Sequence, residues 1–173
     1  MVPLLKEQAL RLSTAEHQRN HEGVYFRCSL ETTATPEQVF RAFTDFSDRR
    51  LDIWRKTLDP KKYELCEHGD TWAVVKEGSA GTKIWVLLRY EWQEPGTIHW
   101  SVLDSDHCDA GTGDITIVPR PGGGSTVNVI FDHQDPRGLS GRAILLMQRL
   151  LGPIAFPRLW KAALDRLAET GSS

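Results

Sequence analysis

Residues 139–168 read LSGRAILLMQRLLGPIAFPRLWKAALDRLA. Apolar residues recur here with a period of about 3.6, so one long helix is expected at the C-terminal end of the fold. Gly152, Pro153 and Pro157 interrupt the pattern. Proline removes a backbone donor and crowds the preceding turn, so a kink or break is expected at 152–157. The polar side also moves, from Arg142, Gln148 and Arg149 to Arg158, Lys161, Asp165 and Glu169. The first half carries Ile144, Leu145, Leu146, Met147, Leu150 and Leu151 and is apolar over most of its circumference. Such a helix is expected to be covered on more than one side.

Upstream the period is two. Val24, Phe26, Cys28 and Leu30 alternate with Tyr25, Arg27, Ser29 and Glu31, the mark of a half-buried strand over 24–34. Thr35 then offers a helix cap, Pro36 suits a first helical position, and Gln38 completes a capping box. Val39, Phe40, Phe43 and Phe46 share one face of the helix that follows. A second short helix is expected from 47 or 48 through 56, carrying Leu51, Ile53 and Trp54. Six further strands are expected at 63–67, 72–77, 83–93, 98–104, 113–119 and 126–133, joined by Gly-, Pro- and Asp-bearing turns. Short connections make them an antiparallel meander. A sheet with one apolar face needs a cover, and the only long helix arrives last. The expectation is an α+β fold in which a curved seven-stranded antiparallel sheet wraps the C-terminal helix. The two short helices follow strand 1.

The chain has 173 residues, 40% hydrophobic and 25% charged, with a net charge of −2. This suits one globular domain, expected over 23–170, and provides no positive field for nucleic acid. Cys28, Cys66 and Cys108 form no CxxC pair, and their odd number fits a reducing compartment. The apolar run at 143–156 is broken by Gln148, Arg149, Gly152 and Pro153, so no integral membrane segment is expected. Residues 1–22 form a leader in which Leu4, Leu5, Gln8, Ala9 and Leu12 make a short helical stripe. Lys6, Glu7 and Arg11 are unlike an export signal, so the expected location is cytoplasmic. The stripe can pack on the domain or on a neighbouring chain, the latter giving a homodimer.

Three segments carry a resemblance to a known family. They are the strand-to-helix passage ETTATPEQVF at 31–40, the late hairpin GGSTVNV at 123–129, and the helix running from Gly141 through Leu151 and Pro153 to Phe156. With the element order they make 24–168 resemble the helix-grip fold of the START/Bet v 1-like (SRPBCC) superfamily, in particular its polyketide cyclase/dehydrase-like members. The resemblance implies a cavity for an apolar or amphipathic molecule. It transfers no catalytic residue.

Alternation places Ile84, Val86, Leu88, Tyr90 and Trp92 on the inward face of the fourth strand, opposite Lys83, Trp85, Leu87, Arg89 and Glu91. The matching inward sets are Ile98, Trp100, Val102 and Asp104, then Val127, Val129, Phe131 and His133. The expected ligand-binding residues are Trp54, Val86, Leu88, Tyr90, Trp92, Trp100, Val102, Phe131, Met147, Leu151, Ile154 and Phe156. Tyr90, Asp104 and His133 are polar groups on these faces and are the catalytic candidates. The segment Asp104-Ser-Asp-His-Cys-Asp109 reads as a polar hairpin loop, because successive strand-end residues point to alternate sides and few could share an ion. No metal or other cofactor is expected. His99 and His133, with Asp132 and Asp135, could supply an oriented base, but no nucleophile-elbow GxSxG accompanies them. The glycines at 122–124 lack a phosphate-loop lysine and form a hairpin turn. Arg49, Arg50, Arg55, Lys56, Lys61 and Lys62 read as a solvated face balanced by Asp48, Asp52 and Asp59.

The leading functional expectation is binding or carriage of a hydrophobic small molecule such as a lipid, polyketide or isoprenoid. Its entrance is expected between the 152–157 break and the loops after the second short helix and before Lys83, with Ile154 and Phe156 as gates and Trp54 opposite. One alternative is a cyclase, aromatase or dehydratase working in the same cavity. The other is a protein-interaction domain with a vestigial cavity, marked by outward Trp85 and Leu87.

Overall fold

Strand β1, Val24–Thr32, keeps Val24, Phe26, Leu30 and Thr32 inside and their alternates outside. The computed structural model describes residues 23–171, so the leader helix expected in 1–22 lies outside the described residues. Helix α1, Pro36–Thr44, begins with the expected capping box. Gln38 N–H donates to Thr35 Oγ1 at 3.3 Å, and Thr35 N–H donates to Gln38 Oε1 at 2.9 Å. Helix α2 is a single turn, Arg49–Ile53, shorter than expected. The strands β2 (Glu64–His68), β3 (Trp72–Gly78), β4 (Trp85–Gln93), β5 (Thr97–Ser105), β6 (Cys108–Pro119) and β7 (Ser125–Pro136) follow, then helix α3, Gly138–Thr170. They form one seven-stranded sheet in the order β1-β7-β6-β5-β4-β3-β2, with every neighbouring pair antiparallel. The expected helix-grip architecture is the observed one.

Four local expectations are corrected. First, α3 runs unbroken through Pro153 and Pro157. The two prolines lie four residues apart and share one helix face, so the missing donors fall on one side. Aromatic packing beside them ties this part of the helix to the sheet and to α1. The Phe156 ring stacks on Phe26 and Phe131 at 5.9 and 5.7 Å, and Trp160 packs edge-on against Phe43 and Trp54.

Second, Asp104 faces outward. Leu88 pairs with Val102 while Leu87 pairs with Asp104, so Leu103 is an inserted residue. A β-bulge of this kind reverses the facing of everything after it. Asp104 therefore reaches Arg137 at 2.9 Å on the surface, and Ser105 takes the buried place. Third, the segment 104–109 is no polar loop. Strand β6 begins at Cys108, and Ser105, His107 and Cys108 are all buried.

Fourth, α3 buries only one side of its first half. Leu145 and Gly152 are buried, while Leu146, Leu150 and Leu151 are more than half exposed. Gly152 owes its identity to proximity, since a Cβ there would lie 2.8 Å from the Phe26 ring. Gly113 on β6 is under the same constraint: a Cβ would sit 1.8 Å from Trp100.

Candidate functional site

Between the concave sheet and α3 lies a cavity of about 180 Å³. Its wall combines aromatic rings from β1, α1, β4, β5, β7 and α3 with aliphatic side chains of the sheet. Of the expected ligand-binding residues, Trp54, Val86, Leu88, Tyr90, Trp100, Phe131 and Phe156 are on this wall. Trp92 is beside it, stacked on Phe46 at 5.8 Å, and Val102 packs against the core. Met147, Leu151 and Ile154 are 43%, 57% and 53% exposed and lie off the cavity. The helix instead turns Gln148, Phe156 and Trp160 toward the wall. The cavity reaches the surface beside exposed Ser79, between 57–58 and 78–85. Trp85 and Leu87, expected outside, are half-buried, and the Lys76 ammonium lies 4.6 Å from the Trp85 ring centre.

The cavity has two polar poles. At the first, Arg50 Nε donates to Glu77 Oε1 at 2.6 Å and Nη1 donates to the Phe43 carbonyl at 3.1 Å. The Tyr90 hydroxyl donates to Glu77 Oε2 at 3.0 Å. Arg50 is 3% exposed, so it does not belong to the solvated basic face expected of its neighbours. Its guanidinium lies over the Phe46 and Tyr90 rings, a setting that shields the pair from water. Burial and the Glu77 charge together push the Tyr90 phenol well above its ordinary pKa.

At the second pole His107, His133 and Gln148 meet the cavity. His107 Nδ1 lies 2.8 Å from Asp106 Oδ1, and that oxygen also accepts from the Trp85 N–H at 3.2 Å. Nδ1 is thereby the protonated nitrogen, which leaves Nε2 as a lone pair. His107 Nε2, His133 Nε2 and Gln148 Oε1 have no hydrogen-bond partner among the described residues. The His133 ring stacks against Phe131 at 4.1 Å. Burial, then the neighbouring His107, lowers its pKa to about 3, so it is neutral at ordinary pH. Behind the two rings, the Cys108 Sγ sits 3.8 Å from His133 Nδ1, and burial raises its thiol pKa. A thiol held protonated is a poor nucleophile.

Chemically, the wall offers a few fixed donors and acceptors in an aromatic surround. Neither Tyr90 nor His133 titrates near neutrality, where general acid–base catalysis is most efficient. The third catalytic candidate, Asp104, is outside the cavity. His99 is on the outer face, paired with Asp114 at 2.8 Å. Sequence reasoning missed Arg50, Glu77, His107 and Gln148. Glu77 was findable: it shares the inward face of β3 with Ala73 and Val75, and a buried carboxylate requires a cation. His107 carried no comparable signal.

A curved antiparallel sheet gripping one long helix over an aromatic cavity is the helix-grip fold. Residues 26–171 match the model of the family described as "Polyketide cyclase / dehydrase and lipid transport", and the chain belongs to that family. Solved structures agree in fold. The Zhui aromatase/cyclase from Streptomyces sp. R1128 superposes with a TM-score of 0.69 at 15% identity, covering 87% of this chain and 96% of that one. A START superfamily protein from Mycobacterium smegmatis gives 0.65 at 15% identity, covering 84% and 97%. Norcoclaurine synthase from Thalictrum flavum gives 0.63 at 10% identity, covering 87% and 89%. No curated protein matches the chain.

Proposed function

We propose that the chain binds a hydrophobic small molecule, of lipid, polyketide or isoprenoid character, in the cavity between sheet and α3. One observation carries this reading: an aromatic-walled cavity ends on three buried polar atoms without partners among the described residues, on His107, His133 and Gln148. An unsatisfied buried polar atom costs about 1–3 kcal/mol, and a ligand carbonyl or hydroxyl at this pole would recover part of that. A volume near 180 Å³ suits a ligand portion of about one or two rings, since roughly 150 Å³ already admits benzene. The ligand enters beside Ser79, past Trp54 and Phe156. The free state of Cys28, Cys66 and Cys108 supports a cytoplasmic setting.

A cyclase or dehydratase acting on a poly-carbonyl chain is the second reading of the same cavity. It is favoured by the two imidazoles facing one end: His133 in its Nε2–H tautomer can donate to a carbonyl oxygen, and His107 Nε2 can accept from an enol or hydroxyl. The depressed pKa of His133 weighs against that ring as the base.

The test is solvent extraction of the purified protein followed by mass spectrometry, alongside a Val129→Phe variant. Val129 lines the cavity, so the larger ring fills it. A compound released stoichiometrically by the native chain and absent from the folded variant supports binding. Equal recovery from both places the compound elsewhere and refutes the reading. Conversion of an added poly-β-carbonyl thioester by the native chain alone would instead establish the enzyme.

A further inference from the structure

We propose that His107, Cys108 and His133 form a binding site for a Zn2+-class transition-metal ion behind the inner end of the cavity. This goes beyond small-molecule binding and stands independently of it.

The three side chains are 1%, 0% and 4% exposed. One potential ligand atom from each lies within 4.8 Å of the other two. Bonds of about 2.0–2.3 Å in a tetrahedral site place ligand atoms roughly 3.3–3.8 Å apart. The Cys108 Sγ and His133 Nδ1 are already at 3.8 Å. The closure required is therefore about 1.5 Å at most. One thiolate with two imidazoles is a donor set suited to zinc and copper, and unsuited to magnesium or calcium. The thiol loses its proton to solvent as the sulfur–metal bond forms.

Two further observations separate this cluster from an ordinary packed core. The Asp106 carboxylate holds His107 Nδ1 at 2.8 Å, so the lone pair of Nε2 is presented with its ring fixed. A carboxylate behind a histidine is the support that metal-binding imidazoles usually have, and it raises their basicity. In addition, glycines let the backbone close around the cluster. A Cβ on Gly111 would lie 2.5 Å from the His133 ring, and one on Gly141 would lie 2.4 Å from the His107 carbonyl oxygen. His107 has no hydrogen-bonding use for Nε2 within the described residues. Three protein ligands leave a fourth position on the ion. Both histidines line the cavity and Cys108 does not, so that position faces the cavity.

The experiment uses the full chain, stripped with a chelator and then titrated with Zn2+ against a chromogenic competitor, and separately with Co2+. The expected result is one ion per chain and a thiolate-to-cobalt charge-transfer absorption. Cys108→Ser should abolish that absorption, and Asp106→Asn should weaken Zn2+ affinity about 10–100-fold. Cys66→Ser, at an exposed thiol on β2, should change neither. Circular dichroism establishes that each variant is folded. If Cys108→Ser does not fold, His133→Gln takes its place, with weakened Zn2+ binding as the expected result. Absence of stoichiometric binding by the folded native chain overturns the proposal. So does binding that survives Cys108→Ser unchanged, or that disappears with Cys66→Ser.

Discussion

Arg50 of α2 and Glu77 of β3 form an ion pair at 2.6 Å, with both side chains sealed from water. The Tyr90 hydroxyl and the Phe43 carbonyl complete its hydrogen bonding. The pair fixes the short helix against the sheet at one end of the cavity. Because desolvating two charges is costly, its value lies in fixing this arrangement more than in net stability.

Glu77→Leu should therefore destabilise the fold by about 3–5 kcal/mol, since it leaves a buried guanidinium without its counter-ion. The double variant Arg50→Met/Glu77→Leu should recover most of that loss. Urea unfolding of the native chain, both single variants and the double variant gives the coupling directly. Additive losses would mean that the two side chains do not act as a unit.

Asp165 links α3 to the end of β1. Its Oδ1 accepts from Thr32 Oγ1 at 2.7 Å and from the Thr33 N–H at 2.9 Å, while Lys161 reaches Oδ2 at 2.6 Å. Partial burial pulls its pKa upward, but these donors outweigh it and lower the value to about 2. The folded pKa lies below the unfolded value near 3.9, so the contribution is complete above about pH 4 and is lost as pH falls through 2. Asp165→Asn should cost about 1–2 kcal/mol at pH 7, the carboxylate being partly in water. Melting curves from pH 7 to pH 2 should converge at the acid end, and a constant offset would contradict the assignment.

Gly113→Ala should lower stability by about 1–3 kcal/mol or more, because the new methyl meets the Trp100 ring at a sub-contact distance. In a Trp100→Ala background, where the ring is gone, the same change should be nearly silent. Trp100→Ala alone should cost about 3–5 kcal/mol. Thermal unfolding of the four proteins measures the non-additivity, and an equal cost for Gly113→Ala in both backgrounds would count against the contact.

Much of the architecture was legible because it rests on local rules. Thr35, Pro36 and Gln38 specify a helix start, and the alternation at Val24–Thr32 specifies a strand with one buried face. The site was less legible, for physical reasons that differ by residue. Val102 and Leu103 are both apolar, so no polarity change marks the bulge between them. Pro153 and Pro157 predict a break locally, but Phe156 and Trp160 bind the helix to the core across it. The histidine at 107 sits among acidic neighbours and looks solvated, and only the turn between β5 and β6 turns it inward.

The extra residue at Leu103 acts as a change of phase. Ahead of it, the even-numbered side chains Ile98 and Trp100 are buried; beyond it, the odd-numbered Ser105 and His107 are. If the bulge were ironed out, with Leu103 kept and paired in regular register opposite Leu87, Asp104 would turn inward in place of Ser105. The interior would exchange a neutral hydroxyl for an acid, and Arg137 would lose one of its two carboxylate partners. The extra residue thus selects the interior chemistry, and a related chain one residue shorter here would keep the same inward set while its parity of numbering is reversed.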